Sequence, residues 1–315
     1  MADRAALKAD IIPQQQEACK EMSLVDAAIV PPSKEGNAAE METRKKNNAN
    51  KKLALSREVC IPRKKKYVGQ SRLNKYEQEL IRIFLNCRID DTVVWKNDSV
   101  STTRSSLFDL LEGKEMVPDD VMDAFVCILQ KSMSVVPQRY KKRVSITRPL
   151  ALYMSKQGDD AHDSTMAMIG DAARNLHEVD IVILPIIMSG HFHVVIFDND
   201  KQEYRHYSSC QSEEYDKNAL EMRNLFDLCV DMELGESATA KYPLVHDTET
   251  PRQKKGSVDC SVYVMRFIEQ LLAGEKLRLP QTDVPYLRLK YVSRIIKEGR
   301  AAGITAKREC SQAGS

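Results

Sequence analysis

The sequence predicts an α+β domain, because helical, strand-like and again helical patterns of apolar residues follow one another along the chain. Helical spacing occupies residues 107–128, three apolar runs of strand length follow between 178 and 209, and helical spacing returns at 259–275. Runs joined by such short turns pair as an antiparallel meander. We therefore expect helices first, then a mostly antiparallel sheet, then a core helix.

The helical part begins with NKYEQELIRIFLNC, a short amphipathic segment with apolar residues at helical spacing from Tyr76 to Phe84. A polar stretch from Asp90 to Ser106 is predicted to be a linker. A second apolar stripe follows at 107–111. Pro118 and two aspartates then indicate the start of a third helix, since proline suits a first turn and carboxylates suit the helix dipole.

The three predicted strands are EVDIVILPII (178–187), HFHVVIF (191–197) and EYRHYSS (203–209). Turn-forming residues separate them at 188–190 and 198–201. The segment DCSVYVMRFIEQLLAGE (259–275) returns to helical spacing, with Cys260, Val264 and Phe267 on one face, and ends at a glycine. It is predicted to be the core helix.

The amino-terminal region is strongly basic. Residues 41–75 contain twelve Lys or Arg and two Glu, a net charge of +10 in a chain of net charge +2, so the remainder is acidic. High charge with few apolar residues predicts a flexible arm over residues 1–72. The arm is a candidate nuclear import signal or a weak phosphate-binding patch, and attachment to chromatin is a further alternative. No apolar run is long enough to cross a membrane, so the nucleus or cytoplasm is expected.

The eight cysteines are spread almost evenly and form no CxxC pair, which argues against a zinc ribbon and a disulfide framework. Cys260 differs from the rest because it opens an apolar helix. Free N–H groups in a first helical turn stabilise a thiolate, and with an amide such as Gln253 they can stabilise an oxyanion. A histidine on the strand HFHVVIF could be the base. From these residues alone, a buried structural cysteine is the commoner interpretation.

GHFHVVIFDNDKQ followed by RQKKGSVDCSVYVMRFIEQLL resembles the ubiquitin-like-protein-specific cysteine protease family, whose best-known members process SUMO. The resemblance covers about residues 100–300, and the basic arm resembles plant, transposon-related members. It implies a papain-like architecture, no metal or organic cofactor, and a SUMO-like modifier as partner. The domains expected are the arm at 1–72, a short helix and linker at 73–100, the catalytic domain at 101–300, and a flexible tail at 301–315.

By this resemblance Cys260 matches the nucleophile, His191 its general base and Gln253 the oxyanion-hole amide, and Phe192 replaces a tryptophan beside the substrate tail. His193 shares a strand face with His191, and only the aromatic residue after His191 favours His191. Gln253 lies seven residues before the cysteine, where six is usual. Ser261 stands in place of a glycine.

The third catalytic residue of the family, an Asp or Asn, has no carboxylate counterpart in this sequence. Tyr207 or Ser208 stands at the expected position, and Asp198 or Asn199 is a more distant substitute. Two alternatives therefore stay open. One is a homologue that binds a ubiquitin-like protein without cleaving it. The other is a metal site built from His191, His193, His206 and Cys210.

Overall fold

The protein is described here from a computed structural model, which covers residues 73–137, 140, 142–148, 150–151, 159–188, 190–235 and 242–303. The predicted arm, and the tail beyond residue 303, lie outside these residues. Within them the chain forms seven α-helices and eight strands. In chain order these are α1 Lys75–Leu85, β1 Val93–Lys96, β2 Ser101–Thr103, α2 Arg104–Glu112, α3 Asp119–Val135, β3 Val144–Ile146, β4 Leu150–Ala151, α4 Asp159–Arg174, β5 Ile181–Met188, β6 His191–Asp198, β7 Glu203–Tyr207, α5 Glu213–Leu234, β8 Leu244–His246, α6 Cys260–Leu272 and α7 Val284–Ala301.

The predicted meander forms the centre of a six-stranded sheet. β5 pairs with β6 and β6 with β7, both antiparallel, as the short turns predict. Parallel strands flank this centre, since β3 and β4 both pair with β5, and β8 pairs with β7. The sheet is therefore mixed rather than mostly antiparallel along its whole width, and the α+β class is confirmed.

Both faces of the sheet are covered, which explains why the apolar run of β5 is continuous. Ile181, Ile183 and Ile187 join a core with α2, α3, α6 and α7. The intervening residues Val182 and Leu184 join a second core with α4 and α5. This alternation is the period of two that a strand imposes. The same rule places the odd-numbered residues of β6, including His191 and His193, toward α5.

The segment 73–100 belongs to the folded unit. α1 is the predicted short helix, and Asn74 caps it through a capping box with Glu77. The stretch expected to be a linker contains the hairpin β1–β2, whose Val94 and Trp95 are part of the main core. α7 packs directly on β1 at Gly299, where a Cβ atom would lie 1.9 Å from the Val94 carbonyl oxygen. Only glycine permits this approach.

Of the helices in the described part of the chain, none combines the length and apolar character needed to span a bilayer.

Candidate active site

Cys260 is the first residue of α6 and lies against the beginning of β6. Backbone N–H groups of Phe192 and Ser261 point at its sulfur and favour the thiolate. Burial outweighs them and raises the pKa of the Cys260 thiol. The N–H donors are thus already placed for negative charge on the sulfur. The loop before α6 and the central hairpin converge, as the catalytic interpretation requires.

His191 is the first residue of β6 and directly precedes Phe192, whose backbone N–H reaches the sulfur of Cys260. Its Nε2 lies 2.9 Å from Ser208 Oγ. The Ser208 hydroxyl donates to the carbonyl of Cys210 at 2.7 Å, so it accepts from His191. Nε2 thus carries the hydrogen, and Nδ1 is the unprotonated nitrogen that can take the thiol proton. Among the described residues, no direct hydrogen bond joins the ring to Cys260, and such bonds are often loose before substrate binds.

Ser208 therefore occupies the position at which the third catalytic residue of the family is expected. Strand alternation explains why Tyr207 does not: its side chain turns to the opposite face and packs in the main core. Asp198, the more distant substitute considered from the sequence, lies at the far end of β6 and pairs with Lys142 and Lys201. The His191 ring is thus oriented by a neutral hydroxyl.

A further aromatic contact holds the His191 ring. Tyr215, in the first turn of α5, stacks on it with ring centroids 4.1 Å apart and an interplanar angle of 24°. Tyr215 is not among the residues predicted from the sequence, because α5 was not predicted and no spacing relates residues 191 and 215. Ring orientation is therefore set from two sides, by Ser208 and by Tyr215.

Gln253 lies beside the end of β7 and is held there by reciprocal hydrogen bonds with Ser209. Its backbone N–H donates to the Ser209 carbonyl at 3.0 Å, and its Oε1 accepts from the Ser209 hydroxyl at 2.7 Å. One amide N–H donates to the carbonyl of Ser257, which leaves the second for an oxyanion. A turn from Lys254 to Ser257, with Gly256 at φ +75°, accommodates the extra residue before Cys260.

Two other predicted residues lie where the sequence did not place them. The Phe192 ring is completely buried in the main core, and only its backbone N–H reaches the site. Its role beside the substrate tail stays a prediction. His193 is also fully buried, and its Nδ1 lies 2.9 Å from Nε2 of His206. The four-residue metal site considered from the sequence is not assembled, because His191 bonds Ser208 instead.

A buried ion pair fixes the start of α6. Asp259, the residue before the nucleophile, accepts from Arg288 of α7 at 2.5 Å and from Gln281 at 2.8 Å. The other arm of the Arg288 guanidinium donates to the carbonyl of Leu110 in α2. Contacts from α2, from α7 and from the segment just before α7 therefore determine where Cys260 sits.

Changing Ser208 tests its role as the orienting residue. We expect Ser208→Ala to lower kcat for peptidase cleavage about 10-fold, the value of one neutral hydrogen bond of about 1.4 kcal/mol. Ser208→Asp should raise kcat above wild type, because a carboxylate also stabilises the imidazolium and is worth up to about 10⁴ in serine proteases. Steady-state kinetics on the three proteins, with melting curves as a control for folding, should rank them Asp, Ser, Ala. Equal rates for Ser and Ala would contradict the assignment.

The pH dependence follows from burial of the same ring. Burial lowers the pKa of His191 to about 4. The active form is either a neutral imidazole beside a thiol or the equivalent ion pair, in which the thiol proton has moved to the imidazole. Adding a proton to the neutral imidazole removes this form, so kcat/KM should fall only as pH drops toward 4. An ordinary histidine would lose activity near pH 6.5. Ser208→Asp should shift this acidic limb to higher pH, since a carboxylate favours the protonated ring. A wild-type limb between pH 6 and 7 would contradict the expectation.

Comparison with known proteins agrees with this geometry. The Ulp1 protease family, C-terminal catalytic domain, matches residues 115–302. Among curated proteins, no sequence is significantly similar to this chain.

Solved structures of similar fold include SUMO proteases. One is SUMO protease Ulp1 with its catalytic cysteine oxidised to a sulfenic acid, at 14% identity and TM-score 0.57, covering 74% of this chain and 99% of that one. Another is the Ulp1 protease domain in complex with Smt3, the yeast ortholog of SUMO, at 16% identity and TM-score 0.57, covering 72% and 96%. The Ulp1-like SUMO protease domain of Chaetomium thermophilum has 16% identity and TM-score 0.50, covering 71% and 90%. The predicted papain-like architecture is confirmed.

Proposed function

Because the chain belongs to the Ulp1 protease family, we propose that it hydrolyses peptide or isopeptide bonds after the C-terminal Gly-Gly of a SUMO-like modifier. The observation that carries this proposal is the convergence of a helix-initiating cysteine, a histidine with a fixed tautomer and a loop amide. Cys260 lies beside the start of β6, His191 is bonded to Ser208, and Gln253 is anchored at the end of β7.

The geometry supports covalent thiol catalysis. His191 Nδ1 takes the proton of the Cys260 thiol as the sulfur attacks the carbonyl carbon of the last glycine. The oxyanion accepts hydrogen bonds from the Gln253 amide and the Cys260 backbone N–H. His191 then gives its proton to the departing amine, and a thioester remains. Water, deprotonated by His191, attacks the thioester and releases the modifier with a free carboxylate and Cys260 as a thiol.

Burial of the reacting groups favours a substrate without side chains next to the cut bond. Only 3% of Cys260 and 4% of His191 is exposed. A Gly-Gly tail can approach such a recessed sulfur, whereas larger residues would collide with the surrounding walls. The similar protease domain solved in complex with Smt3 supports a modifier of the SUMO class as the partner.

Cleavage of a defined fusion tests the proposal. The full chain is incubated with a SUMO-like modifier joined through Gly-Gly to a reporter protein, and with a matched fusion in which Ala-Ala replaces Gly-Gly. We expect a single cut after the second glycine and no cut in the matched fusion. If both fusions stay intact while the modifier binds, the chain is a binding homologue and the peptidase proposal fails.

We also propose that the chain acts in the nucleus, on the basis of the basic segment 41–75. TRKKNNANKK and PRKKKY have the composition of a two-part import signal. A fluorescent fusion of the full chain should be nuclear, and one with Lys64, Lys65 and Lys66 replaced by Ala should spread into the cytoplasm. Nuclear retention of the variant would refute this role of the segment. If salt-sensitive DNA binding is lost while location is unchanged, the segment instead binds nucleic acid.

A further inference from the structure

A cluster of three side chains lies next to the catalytic residues and takes no part in the chemistry above. His206 and His246 are direct cross-strand partners on β7 and β8. Asp216 lies in the first turn of α5, above this pair of strands. All three are therefore positioned by regular elements rather than by loops, as precise sites require.

Their ligand atoms already have the spacing of a metal site. His206 Nδ1 and His246 Nδ1 are 3.0 Å apart, and Asp216 Oδ1 lies 3.4 Å from the first and 2.9 Å from the second. Zinc binds imidazole nitrogen and carboxylate oxygen at about 2.0–2.2 Å, which puts the ligands of a tetrahedral site roughly 3.3 Å apart. The three atoms thus form one face of a tetrahedron of the right size.

The surroundings of His206 complete this arrangement. The His206 side chain is buried, and its other nitrogen, Nε2, lies 2.9 Å from Nδ1 of His193. Metal-binding histidines commonly donate their second N–H to a partner that fixes the tautomer. With Nε2–H donating to His193, the lone pair of Nδ1 points at His246 and Asp216.

Solvent can reach the cluster from one side. The side chains of His246 and Asp216 are 41% and 52% exposed. An ion can therefore enter without opening the core, and water can take the fourth position of an open site.

We propose that His206, His246 and Asp216 form a zinc site that fastens the beginning of α5 to strands β7 and β8. Two imidazoles and one carboxylate suit zinc among the common divalent ions, whereas calcium and magnesium require oxygen ligands. Asp216 adjoins Tyr215, whose ring stacks on His191. A metal at Asp216 thus restrains the helix turn that supports the catalytic ring.

Zinc binding is measured on the full chain carrying Cys260→Ala, which removes the active-site thiol as a competing ligand. Titration against a chromogenic chelator should show one zinc bound with micromolar or tighter affinity. His246→Ala and Asp216→Asn should each weaken it by at least about 10-fold, since each removes one of three protein ligands. Both changes are at partly exposed side chains, so the fold is retained. His177→Ala is the matched control, because His177 is exposed and away from the cluster.

Two further readouts separate this site from others in the chain. Cobalt in place of zinc should give a spectrum without a thiolate charge-transfer band, and zinc should raise the melting temperature of the Cys260→Ala protein but not of the His246→Ala double variant. Absence of binding at 100 µM zinc, about 100-fold above the expected dissociation constant, would overturn the proposal. So would binding that both ligand variants retain. These outcomes are independent of peptidase activity.

Discussion

Replacing Cys260 by Ala is expected to abolish cleavage of a Gly-Gly fusion while the protein stays folded and still binds the modifier. The sulfur forms the bond to the substrate, and removal of a catalytic nucleophile in a serine protease lowers kcat by about 10⁶. The side chain is small and buried at the first residue of α6, so the substitution removes one sulfur atom and leaves a minor cavity. Single-turnover cleavage and binding of the modifier, measured on the same preparation, should separate the two properties.

Cys210→Ala is the matched control for this experiment. Cys210 is a half-buried thiol close to the site, but Ser208 contacts only its backbone: the carbonyl accepts from the Ser208 hydroxyl, and the N–H donates to it. The control should therefore keep most of the activity. If cleavage survives in Cys260→Ala, or disappears in Cys210→Ala at unchanged stability, the assignment of Cys260 as the nucleophile is wrong.

The second large effect is expected at the ion pair beneath the nucleophile. Arg288→Met should destabilise the protein by about 3–5 kcal/mol, because it leaves the carboxylate of Asp259 buried without its charged partner. It also removes the donor to the Leu110 carbonyl. Urea unfolding at neutral pH measures the free energy of unfolding directly. The peptidase activity of the folded Arg288→Met protein should fall as well, because Asp259 immediately precedes Cys260 and helps to position it.

Two controls make the measurement specific to a buried charge. The double variant Asp259→Asn with Arg288→Met should be more stable than Arg288→Met alone, because neither charge remains. Arg82→Ala breaks an exposed ion pair with Glu79 and should leave the free energy of unfolding almost unchanged. If Arg288→Met were as mild as Arg82→Ala, the pair would have no structural role.

Long apolar elements of this fold could be predicted from the sequence, and short or polar ones could not. β5, β6 and α6 are recognisable because each carries a long run with one period and a turn at either end. The hairpin β1–β2 was missed because its strands are only four and three residues long and lie among polar residues. It becomes a hairpin through packing against α7, a contact with a partner about 200 residues away.

The same reasoning applies to the site. Cys260, His191 and Gln253 lie in local patterns that have a chemical meaning, and the structure places all three in one region. The sequence could only narrow the third catalytic position to Tyr207 or Ser208, because the choice depends on the face of the sheet to which each side chain points. Tyr215 and the His206–His246–Asp216 cluster join elements that are far apart in sequence and could not be predicted from any spacing.

The packing of α1 and the β1–β2 hairpin on α7 has a consequence for how the protein is made. The Lys290–Glu77 ion pair and the Gly299–Val94 contact join the first described helix and strand to the last helix. During synthesis, the parts of α1 and β1 that pack on α7 lack this partner until residues 284–301 have left the ribosome. Contacts between residues so far apart in sequence slow folding and prolong the exposure of aggregation-prone apolar surface. We therefore expect the nascent chain to depend on chaperones until its last helix emerges.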